Sequence, residues 1–172
     1  MMGDERMVEL KDITFENINK IIKLKSKYYQ RKFVEKPVVT LSYAYAGTQV
    51  GYPGFASAIY SDGELVGIIL MGRGPVGSNE PDILKQNKYV YRLWGFLIDK
   101  HFQHRGIGRE ALNLALNKIK DYPGGDSLPI MLECYKRNKN AMKLYESFGF
   151  YNTGSEYAKH YIFVRLPELN DK

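Results

Sequence analysis

The chain has 172 residues, 44% of them apolar and 26% charged, a balance that fits one globular domain over 1–172 and excludes a disordered or collagen-like chain. A single cysteine, Cys134, excludes a disulfide framework and any cysteine-rich zinc module. The net charge of +6 is uneven: residues 1–86 carry 11 basic and 10 acidic side chains, residues 87–172 carry 14 and 9, so the second half is the one suited to an anion.

The N-terminal residues are charged and no apolar run approaches spanning length, so a soluble, cytoplasmic protein without a membrane partner is expected. In chain order, Val8–Leu10 reads as a short strand. Thr14 then reads as an N-cap, with Phe15, Ile18, Ile21, Ile22 and Leu24 at helical spacing and Lys23, Lys25 and Lys27 at the far end, where the helix dipole favours cations. Pro37 opens a second helix through Val39 and Ala46, which Gly47 is expected to stop. Phe55–Ser61 and Glu64–Met71 are strands joined by Asp62-Gly63, a two-residue hairpin signal. The stretch 72–88, rich in Gly and Pro, reads as a long loop.

Val90–Ile98 is apolar at nearly every position, which marks a central strand covered on both faces, and Gly95 within it signals a bulge or a close approach. Next comes a helix with Ala111, Leu112, Ala115, Leu116 and Ile119 on one side, ending near Tyr122. Pro129–Cys134 is a strand. Asn138–Phe148 is a helix with Ala141, Leu144, Tyr145 and Phe148 on one face and Gly149 as its C-cap, and Tyr161–Leu166 is the last strand. The order is mixed α/β: antiparallel hairpins, then a strand–helix–strand unit that requires a parallel crossover.

The chemistry concentrates in Gln103-His104-Arg105-Gly106-Ile107-Gly108, between the buried strand and the start of a helix. Unpaired N–H groups and the positive end of the helix dipole, with Arg105 and Arg109 beside them, favour a phosphate site. Gly106-Ile107-Gly108-Arg109-Glu110-Ala111 also fits a dinucleotide fingerprint, with Glu133 near the ribose-binding position. Against that reading, seven residues separate the strand from Gly106 and only 39 residues follow Glu133, too few to complete a doubly wound sheet.

The segment from Gln103 to Gly108 resembles the Q/R-x-x-G-x-G/A loop of the GCN5-related N-acetyltransferase (GNAT) family. Asn138-x-x-Ala141-x-x-x-Tyr145-x-x-x-Gly149-Phe150 resembles that family's second signature helix. Within the family the chain is most similar to the bacterial spermine/spermidine branch. The resemblance implies an α+β fold, with a mixed, mostly antiparallel central sheet and helices on both faces, in which acetyl-coenzyme A lies between the fourth and fifth strands. It implies that Leu97 and Ile98 pair with the pantetheine arm like an added strand. The N–H groups of Arg105, Gly106, Ile107 and Gly108, in the loop with Gln103 and His104, would hold the pyrophosphate. Arg109 and Lys100 would reach the remaining phosphate, and Asn138 would contact the pantetheine.

The implied reaction is direct acyl transfer to a neutral amine, with a backbone N–H near Leu97 polarising the carbonyl and Tyr145 protonating the departing thiolate. Glu133 is the first candidate for the base and Asp99 the second. Cys134 reads as a small buried hydrophobe, with His101 and His104 as imagined rather than real partners, and the three histidines form no metal pairing. The acceptor is a small-molecule or peptide amine, with polyamines favoured. Tyr28, Tyr29, Tyr43, Tyr45, Tyr52 and Phe55, beside Glu35, would suit an alkyl-ammonium, a homodimer interface or core, of which core is preferred. A coenzyme-binding sensor without turnover and a nucleic-acid-binding module are the alternative classes; the scattered basic residues argue against a nucleic-acid partner.

Overall fold

A computed structural model describes residues 6–168. Seven strands form one sheet: β1 (Val8–Asp12), β2 (Gly54–Ser61), β3 (Glu64–Pro75), β4 (Tyr89–Ile98), β5 (Ile130–Tyr135), β6 (Tyr151–Tyr157) and β7 (His160–Arg165), in the spatial order β1-β2-β3-β4-β5-β7-β6. Every neighbouring pair is antiparallel except β4 and β5. The fold is therefore α+β, and the sheet order removes the doubly wound dinucleotide reading.

Asp62 and Gly63 both take positive φ (51° and 78°), the backbone a two-residue hairpin needs, and they join β2 to β3 as expected. The crossover from β4 to β5 is α3 (Ile107–Lys118), whose Ile107, Ala111, Leu112 and Ala115 are buried against β2, β3 and β4. α4 (Lys139–Glu146) packs on the same face. The opposite face is covered by α1 (Ile18–Ile21) and α2 (Pro37–Gln49), where Ile21 and Leu24 bury against Ala58, Ile68 and Leu97.

Four boundaries differ from expectation. The first helix is a single turn, and Phe15 is 98% exposed. Thr14 is not its cap: the Asn17 side chain accepts the Thr14 N–H at 2.9 Å and donates to the Asp12 carbonyl at 2.9 Å, holding that stretch as a turn and leaving Lys23, Lys25 and Lys27 beyond the helix. α2 runs through Gly47, where an added Cβ would meet nothing within 4 Å, and the chain turns at Gly51 with φ 70°. β3 extends to Pro75, because Gly72 and Gly74 pair with Arg92 and Val90 where a loop was expected. β6 was not expected; it is an exposed edge strand.

Gly95 bears out the bulge and corrects the other half of its reading, a close approach by another backbone. The β3–β4 register passes from Leu70↔Gly95 to Met71↔Leu93, so Trp94 is the extra residue of a bulge. A Cβ at Gly95 would lie 2.6 Å from Thr40 Cγ2 and 2.7 Å from its Oγ1, so the close neighbour is the α2 side chain rather than another backbone. Gly95→Ala should destabilise the fold by about 1–3 kcal/mol in urea unfolding, and adding Thr40→Ala should recover most of it. Equal stability of Gly95→Ala and the parent would show that α2 is not held at this distance.

Candidate active site

β4 and β5 pair at only two positions, Tyr91↔Ile130 and Arg92↔Met131, and then separate. From Leu93 to Ile98 the β4 backbone has β3 on one side and no strand on the other. A cavity of about 1400 Å³ fills this opening and continues onto the α1/α2 face. Unpaired strand edges are hydrogen-bonding groups without partners, so the opening is built to receive an extended ligand.

At the α3 end of the opening, Gly106 caps the helix with φ 80° and His104 also has positive φ (62°). Only from Arg109 onward do the N–H groups turn inward, with Arg109 and Glu110 both donating to the Gly106 carbonyl. Among the described residues, the N–H groups of Gly106, Ile107 and Gly108 have no such partner, the arrangement that binds an anion. Gly108 lines the cavity, and a Cβ there would touch Phe96 and Ile98 at 3.8 Å, so the bare backbone leaves room beside β4.

Tyr145 and Asn138 reach the cavity from α4. Asn138 is the N-cap, its Oδ1 accepting the Ala141 N–H at 3.3 Å. The Tyr145 ring meets Phe150 edge-on at 6.0 Å, and no side-chain hydrogen bond to its hydroxyl is formed among the described residues. Burial, and then the nearby Cys134, push the phenol well above its usual pKa, so it keeps its proton. Glu133 alternates with the buried Leu132 and Cys134 along β5 and therefore lines the cavity from the other face, exposed to solvent.

The family model described as "Acetyltransferase (GNAT) family" matches residues 18–150. The chain belongs to the Acetyltransferase (GNAT) family. Two curated relatives are the "Probable spermine N(1)-acetyltransferase" of Bacillus subtilis subsp. natto (strain BEST195) and the "Spermine/spermidine N(1)-acetyltransferase" of Bacillus subtilis (strain 168). They are 29% and 27% identical over 147 residues, 86% of this chain and 90% of each relative. A similar solved structure is the PaiA N-acetyltransferase of Thermoplasma acidophilum in complex with coenzyme A, at TM-score 0.64 and 14% identity, covering 93% of this chain and 99% of that one.

Against the residues a GNAT protein is expected to use, Leu97, Ile98, Gln103, His104, Gly108, Asn138, Glu133 and Tyr145 line one cavity. Arg105, Gly106, Ile107 and Arg109 lie outside its wall. The Ile107 side chain is core, and Arg109 donates to Ser147 Oγ at 2.8 Å with its guanidinium over Phe148, tying α3 to α4. Arg105 sits over Phe102. The Gln103 side chain turns inward, donating to the Ile98 carbonyl at 2.9 Å and to Gln30 Oε1 at 2.8 Å.

Asp99 is corrected as a base. Its oxygens accept the N–H groups of Lys25 (2.8 Å) and His101 (3.0 Å) and face His101 Nδ1 (2.8 Å). Burial pulls its pKa up, but the His101 and Lys25 hydrogen bonds outweigh it and hold the carboxyl below its usual value. Asp99 holds the loop, as its alternative reading as a cap supposed. The preference for core at the N-terminal aromatics also fails: Tyr28 is 82% exposed, with Tyr29, Tyr43, Tyr45 and Tyr52 also on the surface, and only Phe55 is buried. Tyr43, Tyr45, Tyr52, Phe55 and Glu35 line the cavity; Tyr28 and Tyr29 do not.

Residues that the sequence reading passed over are Trp94, Phe33, Tyr135 and His160, all on the cavity wall. Trp94 had a signal, as the one tryptophan beside a strand glycine. Phe33 stacks on Tyr135 at 4.6 Å, and Tyr135 meets His160 at 5.6 Å, contacts between segments distant in sequence.

Cys134 is buried, and desolvation pushes its thiol to about 12, partly offset by Lys139. Among the described residues no group of three metal-ligating side chains gathers around it or elsewhere. A thiol held protonated binds a proton that the unfolded chain releases near 9. Its contribution to stability is therefore complete below pH 9 and is lost as pH rises toward about 12. Cys134→Ala should flatten the alkaline fall in unfolding free energy, and native Cys134 should resist thiol reagents until the chain unfolds. Rapid labelling of the native protein would place the thiol at the surface instead.

Proposed function

We propose that the protein transfers the acetyl group of acetyl-coenzyme A directly to a primary amine, with both substrates bound together. The observation that carries this reading is the opening between β4 and β5, which has anion-binding N–H groups at one end and a protonated, unengaged phenol within it. The coenzyme supplies the activated acetyl thioester. The N–H groups of Gly106–Gly108 receive its pyrophosphate, and the free edge at Leu97 and Ile98 receives the pantetheine arm.

Glu133, across the opening from Tyr145, takes the ammonium proton directly or through water, so that the nitrogen attacks as a neutral amine. The C–N bond forms, the acylated nitrogen releases its second proton to water, and the C–S bond breaks. Tyr145 gives its proton to the departing thiolate and recovers one from solvent. Cys134, buried and protonated, forms no acyl-enzyme. The two curated relatives named for spermine and spermidine make polyamines the first acceptors to compare, and Glu35 and Glu133 are carboxylates on the cavity wall suited to an alkyl-ammonium.

Calorimetry should show coenzyme A binding, and thiol release from acetyl-coenzyme A should depend on an added amine. Tyr145→Phe should slow turnover about a hundredfold with coenzyme affinity nearly unchanged, and Glu133→Gln should lower kcat/KM for the amine about a hundredfold. No binding at millimolar coenzyme A would overturn the reading. Binding without turnover of any amine would favour a coenzyme sensor.

A further inference from the structure

Beyond the reacting centre, one stretch of the chain that lines the cavity carries no charge. From Pro37 to Ser61, through α2 and β2, no residue is charged. Where α2 faces β4, Tyr43 stacks on Trp94 with ring centroids 5.5 Å apart, and both rings remain about half exposed (51% and 47%). Trp94 is the extra residue of the β4 bulge, and bulges beside active sites re-aim side chains. Two aromatic rings held half in water on the wall of a large cavity mark a surface that a ligand covers.

The nearby ionic groups oppose a second ammonium in this part of the cavity. The Glu80 carboxylate is fully engaged, by the Arg92 guanidinium and by the Gly77 N–H at 2.9 Å. Arg92 also donates to the Pro75 carbonyl at 2.8 Å, and its guanidinium lies over the Trp94 ring at 5.7 Å, so that ring's attraction for a cation is already used. Arg73, also on the cavity lining, is committed elsewhere, donating to the Pro123 carbonyl at 3.1 Å with its guanidinium over the Tyr89 ring. A polycation threaded along α2 would meet the Arg92–Glu80 ion pair and no free carboxylate. An arene would meet Tyr43 and Trp94 without desolvating any charge.

We propose that the acceptor is an arylalkylamine, with one cationic end beside Glu133 and an uncharged aromatic body along α2 against Tyr43 and Trp94. The proposal rests on the acetyl-transfer reading for its chemistry but on the cavity wall for its choice of amine. Glu35, also on the cavity lining and just ahead of α2, is the carboxylate that could instead receive a second ammonium.

Because Trp94 is the only tryptophan, its fluorescence reports this wall alone. With the protein saturated in coenzyme A, 2-phenylethylamine should change that fluorescence saturably, and spermidine over the same range should not. In turnover, kcat/KM for 2-phenylethylamine should exceed that for spermidine. Trp94→Ala should lower this ratio about tenfold, with Trp94→Phe recovering most of it. Spermidine as the better acceptor, lost on Glu35→Gln, would overturn the proposal and assign Glu35 to a polyamine. An unchanged ratio in Trp94→Ala would also overturn it. A fluorescence response without turnover of any amine would refute acetyl transfer yet uphold the preference of the wall.

Discussion

The structure depends on a parallel strand pair that starts and does not finish. β4 and β5 share two rungs, at Tyr91↔Ile130 and Arg92↔Met131, and then part. A sheet closed along its length would satisfy its own backbone and offer nothing to a ligand. Here the crossover helix α3 and the bulge at Trp94 keep the strands apart, while β3 and β7 hold each on its outer side. The opening therefore has an ordered wall on each flank before any ligand arrives, which lowers the cost of ordering one inside it.

A second set of contacts joins the two halves of the cavity. The loop after β4 leads to the free N–H groups of α3, and it is tied to the segment leading toward the α2 wall. Asp99 accepts the Lys25 N–H, Lys100 donates its own N–H to the Lys25 carbonyl at 2.8 Å, and Gln103 reaches both Ile98 and Gln30. Asp99 and Gln103 thus tie backbone and side chains together at the edge of the site. Among the described residues, the Tyr145 phenol on one face of the sheet and the Glu133 carboxylate on the other both line the cavity without a hydrogen-bond partner. A proton donor and a proton acceptor on opposite sides of a slot suit a reaction that must deliver one proton and remove another.

Most of the fold was legible because its signals are local and physical. Asp62-Gly63 tolerates the positive φ of its turn, the apolar stripe of α3 repeats at helical spacing, and an uninterrupted apolar run such as β4 must be covered on both faces. What escaped depended on contacts between distant segments. β6 is exposed and interrupted at Gly154, so it has no alternation to read and exists through its pairing with β7. The helical pattern around Phe15 lost to the Asn17 side chain, which holds the preceding turn. In the site, the motif residues Asn138 and Tyr145 lie on the cavity wall. The α2 aromatics were misjudged because an uncharged helix reads as buried, and only the structure shows one side of it facing a cavity.

The most direct test is a crystal structure of the protein with coenzyme A. The account predicts the pantetheine arm hydrogen-bonded to β4 at Leu97 and Ile98 and the pyrophosphate on the N–H groups of Gly106–Gly108. It also predicts the sulfur within hydrogen-bond reach of the Tyr145 hydroxyl. Coenzyme bound elsewhere, or β4 and β5 zipped together beyond Arg92, would contradict it.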